Sequence, residues 1–223
     1  ISNAIILMST NPVADPTRIQ VDAGVTATLT GAITQSGGTA QPLVFDGLGT
    51  AILTNASNNY AGLTSINAGT VVERNTASAL GSGGVTIASG ATLQFDNQTG
   101  GGLSIEAGTY TGAGTIRFTG NTGAVTILGN AGVVTFSLGS GGLVDVQGGI
   151  VAGSASGQGF WTGNLADLNV AAGATFDGVE GNIRVDALTG AGTVRNGYFG
   201  EGSLTLGVDD GSGTFTEIGR AHV

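Results

Sequence analysis

Short apolar segments closed by glycine, asparagine or serine recur through the whole chain. The stretch 47–95 shows the pattern best, with apolar runs at Ala51–Leu53, Val71–Val72 and Val85–Ile87. Each run is only a few residues long, so it suits a β-strand and is too short for an amphipathic helix with its 3.6-residue period. The sequence therefore predicts an all-β fold built from short strands and tight turns.

Two phrases recur along the chain at a loose interval of roughly 20 residues, which falls within the range of stacked-coil repeats. The first, an apolar residue followed by any residue, Ala or Ser, and Gly, occurs in the segments 21–29, 66–72, 87–95, 105–112 and 170–176. The second, Gly-x-Gly-Thr, begins at Gly47, Gly112, Gly190 and Gly211. A coil of this length holds about three short strands, so the repeats favour a solenoid of stacked coils.

A closed sandwich or barrel is the competing architecture. The Asp-Gly and Asn-Gly pairs that mark two-residue hairpin turns occur at residues 46–47, 177–178, 196–197 and 210–211. The segments on either side of these pairs do not form matched strands, however, and no linker divides the chain. The sequence favours one continuous solenoid.

From Phe95 onward, phenylalanines are spaced at intervals close to the repeat length. They stand at Phe95, Phe118, Phe136, Phe160, Phe176, Phe199 and Phe215. If each coil contributes one inward ring, the rings stack along the solenoid axis as a ladder. Chance spacing of the aromatic residues is the alternative.

Composition narrows the class of protein and its partners. The chain has 43 glycines and only 9% charged residues, but 40% of its residues are hydrophobic, which a disordered linker lacks. Its net charge of −9 argues against binding to nucleic acid or anionic lipid through electrostatics. Cysteine is absent, so a disulfide framework and thiolate metal sites are excluded.

One segment carries a family resemblance. Its matching residues are Gly47, Gly49, Thr50, Leu53, Asn59–Gly62, Thr64–Val71, Ala79–Gly83, Val85–Ile87 and Gly90–Leu93. Together they resemble the passenger-associated repeat of bacterial autotransporters, the type V secretion proteins, and the segment 31–38 resembles the lead-in to such a repeat. The charged pair within Val72–Asn75 departs from the family pattern, which has small apolar residues there.

The resemblance implies a right-handed parallel β-helix, a solenoid of roughly 20-residue coils, that forms part of a secreted passenger domain. Such a segment supports export, folding and presentation at the bacterial cell surface, outside the outer membrane, and contributes to adhesion and virulence. The resemblance also implies a C-terminal β-barrel translocator in the parent protein, of which this chain is expected to be a fragment. A host-surface or carbohydrate ligand stays unidentified. A β-helical carbohydrate-active enzyme and an adhesin fragment are the alternatives.

Carboxylates are the residues that would carry chemistry in a carbohydrate-active enzyme, which needs two of them across the glycosidic bond. The candidate pairs are Asp177 with Glu180 and Asp209 with Asp210. All four stand in glycine-rich contexts, where aspartate commonly stabilises a turn. The only histidine is His222, near the end of the chain. The sequence therefore predicts no catalytic residue, no metal ligand and no cofactor.

The pair Phe160 and Trp161, within the segment 156–164, is a candidate surface binding patch. Flanking glycine and polar residues predict a loop, and exposed aromatic side chains in a loop can bind a partner. The alternative is that these rings fold back over the core.

The final seven residues, Glu217–Val223, break the repeat pattern. The heptapeptide resembles the translation of a widely used short-read sequencing adapter. We interpret it as an assembly artefact, so that the predicted β-helical segment spans residues 1–216. A genuine polar tail is the alternative.

Overall fold

A computed structural model shows an all-β chain in which every described strand pair is parallel. The residues it describes are 1–12, 14–76, 79–105, 107–128, 133–153, 161, 163–177, 182–195 and 202–216. Within those ranges there is no helix. This confirms the predicted fold class.

The strands are short, as their glycine-bounded sequences predict. In chain order they are β1 (Ile5–Leu7), β2 (Thr17–Gln20), β3 (Thr26–Leu29), β4 (Ile33–Gln35), β5 (Leu43–Asp46), β6 (Thr50–Leu53), β7 (Thr64–Ile66), β8 (Thr70–Arg74), β9 (Val85–Ile87), β10 (Thr92–Asn97), β11 (Gly102–Ser104), β12 (Gly108–Gly112), β13 (Thr115–Gly120), β14 (Val125–Ile127), β15 (Val134–Leu138), β16 (Leu143–Val146), β17 (Ile150–Ala152), β18 (Asp167–Val170), β19 (Thr175–Asp177), β20 (Asn182–Arg184), β21 (Leu188–Gly190), β22 (Thr193–Val194) and β23 (Ser203–Thr205).

Three long sheets form the faces of the solenoid. Sheet 1 has the order β3-β6-β8-β10-β13-β16-β18-β21, sheet 2 the order β2-β5-β7-β9-β12-β15, and sheet 3 the order β11-β14-β17-β19-β22. Two further pairs, β1-β4 and β20-β23, lie at the two ends of the chain. Neighbouring strands of a sheet belong to successive coils, so each coil pairs with the next along the faces that these sheets form.

The solenoid has about seven turns, with about 24 residues between equivalent positions. The coil is therefore longer than the predicted length of roughly 20 residues. Paired residues are 20 positions apart at Thr50 and Thr70 but 28 apart at Thr115 and Leu143. The strands keep their register while the connections vary in length, which explains why the repeat looks loose in the sequence.

The core of sheet 1 is a row of apolar side chains that point into the solenoid. The row runs in register through Ala51, Val71, Leu93, Ile116, Val144 and Leu168, and each of them is at most 2% exposed. The preceding residue of each strand points outward, because side chains alternate between the two faces of a strand. Glu73 is an exception in the neighbouring inward row, where it is fully buried between Leu53 and Phe95.

Aromatic rings fill the interior of the solenoid from strand β10 onward. Phe95 and Phe118, in register on sheet 1, stack with centroids 5.4 Å apart. Tyr110 and Phe136, in register on sheet 2, meet edge to face at 5.4 Å. Trp161 extends this cluster, with its ring centroid 4.8 Å from that of Phe136.

The predicted phenylalanine ladder is correct in part. Phe95, Phe118, Phe136 and Phe176 are buried, but they lie on three different sheets, so the rings form a cluster and not one column. Phe215 is partly buried against the core. Phe160 and Phe199 lie outside the described residues.

The phrase that ends in Ala-Gly or Ser-Gly forms a β-turn between two faces of the solenoid. In the coil at residues 88–91, the amide of Ala91 donates to the carbonyl oxygen of Ala88 at 3.0 Å. Gly90 has a φ of 82°, the value that the third position of a type II turn requires. Equivalent turns lie at residues 22–25 and 171–174.

The Gly-x-Gly phrase packs onto this turn in the preceding coil. The amide of Gly114 donates to the carbonyl oxygen of Ile87 at 3.0 Å. Gly112 has a φ of 100°, and a Cβ atom there would lie 2.0 Å from that same oxygen. The same contacts recur at 47–49 over Val21 and at 190–192 over Val170. The two repeated phrases are therefore complementary surfaces of stacked coils.

Two asparagine side chains each connect their own coil to the coils before and after it, at places outside the three long sheets. Asn58 accepts a hydrogen bond from the amide of Ile33 and donates to the carbonyl oxygen of Ala79, both at 2.7 Å. Asn164 accepts from the amide of Leu138 at 3.3 Å and donates to the carbonyl oxygen of Arg184 at 2.9 Å. Each carboxamide makes the two hydrogen bonds that a backbone peptide group of the middle coil would make in a continuous sheet.

Candidate functional site

The outer surface of sheet 1 carries a band of hydrogen-bonded polar side chains across successive coils. We call this band the polar face. It consists of Arg74, Gln94, Asp96, Gln98, Arg117, Thr119, Asp145, Gln147, Asn169 and Thr189. These residues lie on, or just beyond, the strands from β8 to β21. They share one side of the sheet because outward positions align from coil to coil.

The Asp96 carboxylate is the centre of the first network in the polar face. Its Oδ2 accepts a hydrogen bond from Nε of Arg74 in the preceding coil at 2.6 Å. Its Oδ1 accepts from Gln98 at 2.6 Å and from Thr119 in the following coil at 2.8 Å. Gln94 then donates to Thr119 at 3.1 Å. Three successive coils are thus tied together around one carboxylate.

The Asp145 carboxylate repeats this arrangement further along the axis. Its Oδ2 accepts from Nε of Arg117 in the preceding coil at 2.8 Å. Its Oδ1 accepts from Gln147 at 2.6 Å and from Asn169 in the following coil at 2.8 Å. The arginine comes one coil before the aspartate and the glutamine two residues after it, as in the first network.

The two networks hide their carboxylates and expose their guanidinium groups. The side chains of Asp96 and Asp145 are each 4% exposed, whereas those of Arg74 and Arg117 are 41% and 40% exposed. Only Nε of each arginine is engaged, so Nη1 and Nη2 have no hydrogen-bond partner among the described residues. The polar face therefore exposes cationic hydrogen-bond donors to the solvent, although the chain as a whole is acidic.

The pKa of Asp96 follows from this environment. Burial alone would raise the pKa of the carboxyl, because it penalises the charged form. The hydrogen bonds from Gln98, Thr119 and Arg74, together with the charge of Arg74, outweigh burial and lower the pKa below its usual value. The network thus stabilises the ionised aspartate.

This lowered pKa makes a prediction about stability and pH. A carboxyl with a depressed folded-state pKa contributes stability above its unfolded pKa of about 3.9, and that contribution is lost as the pH falls through the folded pKa. We expect Asp96→Asn to lower the free energy of unfolding by about 1.5–3 kcal/mol at pH 7. Urea unfolding measured between pH 2 and pH 7 should show the difference from the wild type shrinking below about pH 4.

Asp46→Asn is the matched control for this prediction, because Asp46 pairs with Arg18 but its side chain is 26% exposed. We expect that variant to change stability by less than about 1 kcal/mol at any pH. A loss for Asp96→Asn that is equally large at pH 2 and pH 7 would contradict the role assigned to the charge.

A shallow open groove of about 400 Å³ adjoins the polar face. It crosses three coils, with Gly123, Gly149 and Gly173 among its lining residues and Gln147 in its wall. Gln147 also belongs to the Asp145 network, so the groove continues the polar face around the corner from sheet 1 to sheet 3.

The structure separates the carboxylates that the sequence singled out. Asp177 ends strand β19, with its side chain 3% exposed and its Oδ2 2.9 Å from Nε of Arg195. Its interpretation as a turn residue is therefore wrong, since it lies in a strand and pairs with the arginine of the next coil. Glu180 lies outside the described residues.

Asp209 and Asp210 lie in an exposed turn, in agreement with their interpretation. The amides of Asp209 and Gly211 both donate to Oδ1 of Asp186, at 2.8 and 2.7 Å. Asp210 has a φ of 62°, a left-handed conformation that aspartate tolerates better than most residues.

Trp161 is not part of a surface patch. Its side chain is fully buried, and its ring packs edge to face on Phe136 and Phe176. The expectation of an exposed aromatic pair is therefore wrong for Trp161, because the interior of these coils has room for a large ring beside Phe136. Phe160 lies outside the described residues, as do His222 and the segment 217–223.

Sequence reasoning missed the polar face. A signal for it exists, since Asp-x-Gln occurs at both 96–98 and 145–147. The arginine partners are 22 and 28 residues upstream of their aspartates, so they can be recognised only once the register of the coils is known.

Three further findings concern metal ions, membranes and known proteins. In the described ranges, no three or more His, Cys, Asp or Glu side chains come together in a way that could hold a metal ion. The same ranges contain no helix of sufficient length and apolar character to cross a membrane. Comparison with protein families, curated proteins and solved structures finds no match for this chain. The fold places it in the class of parallel β-solenoids.

Proposed function

We propose that this chain is a structural and display segment of a secreted autotransporter passenger. The observation that carries the proposal is the stack of about seven coils in continuous parallel register. Such a stack makes a stiff spacer, because each coil is fixed to its neighbours by strand pairing and by its buried row of side chains. In this role the segment supports export and holds other parts of the passenger away from the cell.

The resemblance in the segment 47–93 adds support, since its phrases have structural counterparts. Gly47 and Gly49 pack onto the backbone of the preceding coil. Thr64–Ile66 of the repeat forms strand β7 of sheet 2, and Thr70–Val71 begins strand β8 of sheet 1. A repeat that specifies corners and strands is suited to building coils.

The proposal includes the location and the partner that the resemblance implies. The segment would reach the bacterial cell surface through a C-terminal β-barrel of the same parent protein. A β-helical carbohydrate-active enzyme is a weaker candidate, because three of the described carboxylates, Asp96, Asp145 and Asp177, are buried in ion pairs with arginines. An adhesin fragment is compatible with the same fold.

Long-read sequencing of the complete gene tests this proposal. We expect further coils rich in Gly, Thr and Val in place of codons 217–223, followed by a region of alternating strands that encodes a barrel. Protease treatment of intact cells that express the full gene should then release the β-solenoid. A gene that ends after codon 223, or a solenoid that stays inside the cell, would contradict the proposal.

A further inference from the structure

We propose that the polar face binds an acidic polysaccharide, through carboxylates of the sugar chain that pair with the exposed ends of Arg74 and Arg117. This inference goes beyond the display role and does not depend on export. It rests on the geometry of the two arginine–aspartate networks and on the chemistry of the surface between them.

The two guanidinium groups are prearranged for anions. The buried carboxylates of Asp96 and Asp145 hold Nε of each arginine, at 2.6 and 2.8 Å. Nη1 and Nη2 then form a planar pair of donors on the solvent side, which matches the two oxygens of a carboxylate. Gln98 and Gln147 donate to Oδ1 of Asp96 and Asp145, and so fix each carboxylate in place. Each carboxylate contacts its arginine only at Nε, which leaves Nη1 and Nη2 open to a ligand.

The spacing of the arginines points to a polymer. Arg117 is in register with Gln94, which is in register with Val72, two residues before Arg74. The two Cα atoms are therefore about 12 Å apart, from about 4.8 Å per strand and about 3.3 Å per residue. A single carboxylate cannot contact both guanidinium groups at this distance, whereas two acidic groups on the same polymer can.

The surface between the arginines suits sugars better than other polymers. Gln94 and Thr119 lie between the arginines and Gln98 lies beside Arg74, and their amide and hydroxyl groups can bond to sugar hydroxyl groups. The large exposed hydrophobic side chains among the described residues all lie elsewhere, so the face lacks the aromatic and apolar anchors of a protein interface. The net charge of −9 repels any polyanion, so binding depends on the two local arginines, and the repulsion is stronger for nucleic acid with its denser charge.

Binding of polygalacturonate to the full chain tests the inference. Calorimetry at low salt should show binding that weakens as salt is raised, because exposed ion pairs are screened. Fully methyl-esterified polygalacturonate, which has the same backbone without the charges, should bind much more weakly. No measurable binding of polygalacturonate, or equal binding of its ester, would overturn the proposal.

Matched variants identify the face. We expect Arg74→Gln and Arg117→Gln each to weaken binding roughly threefold to tenfold, the scale of a lost charge-assisted contact. Arg195→Gln is the control, because Arg195 pairs in the same way with a buried aspartate, Asp177, but follows strand β22 of sheet 3. Equal weakening by Arg195→Gln would overturn the assignment to sheet 1.

Two further measurements complete the test. If a glutamine variant fails to fold, as judged by circular dichroism, Arg117→Lys replaces it, since lysine keeps the charge but lacks the planar fork. We expect that variant also to bind more weakly. Polyglutamate should bind less tightly than polygalacturonate, and equal or tighter binding would show that the face prefers an acidic peptide, contrary to the proposal.

Discussion

Gly112→Ala is expected to destabilise the solenoid by about 4 kcal/mol or more, a loss that is exceptional for a single substitution. The added Cβ would lie 2.0 Å from the carbonyl oxygen of Ile87 and 2.8 Å from its carbonyl carbon. Both atoms belong to the backbone of the preceding coil, so a side-chain rotation cannot relieve the clash. The coils would have to separate, which would also stretch the hydrogen bond from Gly114 to Ile87.

Gly90→Ala is the matched control for this prediction. Gly90 also has a positive φ, 82°, but a Cβ there would meet nothing within 4 Å. The Gly90→Ala substitution should therefore lower the free energy of unfolding only by the backbone penalty of an alanine in a left-handed conformation, roughly 1–2 kcal/mol. Urea unfolding of both variants, followed by circular dichroism, isolates the effect of the clash. Similar losses for the two variants would show that coil contact at Gly112 contributes nothing.

The glycine pattern made the fold predictable. The two phrases led to a solenoid because glycine is required both at the turn of Gly90 and at the contact of Gly112. The sequence did not reveal that the two phrases pack on each other, because that contact joins Gly112 to Ile87, 25 residues away, across a connection of variable length. The coil length was underestimated for the same reason.

The orientation of single side chains was less predictable. Trp161 looked exposed because its neighbours in the sequence are glycine and polar residues. Its burial depends on Phe136, which belongs to the preceding coil, and on Phe176, which lies on another face of the same coil. Asp96 and Asp145 likewise look like ordinary surface residues until the register places an arginine beside each of them.

Phe136 is the centre of the aromatic cluster, and its truncation is expected to have the second large effect. The side chain is fully buried, and its ring contacts Tyr110, Phe118 and Trp161 at centroid distances of 5.4, 6.5 and 4.8 Å. Because three coils pack around this ring, their backbones cannot close the space that it leaves. Phe136→Ala should therefore lower the free energy of unfolding by about 3–5 kcal/mol.

Fluorescence gives a direct measurement of this effect, because Trp161 is the only tryptophan and touches Phe136. Leu48→Ala is the control, since Leu48 is 73% exposed and should change stability by less than about 0.5 kcal/mol. A double-mutant cycle of Phe136→Ala with Trp161→Ala, followed by circular dichroism because Trp161→Ala removes the fluorescent probe, should give a coupling energy of about 0.5–1.5 kcal/mol from the edge-to-face contact. If Phe136→Ala costs no more than Leu48→Ala, the aromatic cluster does not hold these coils together, and strand pairing alone must stabilise them.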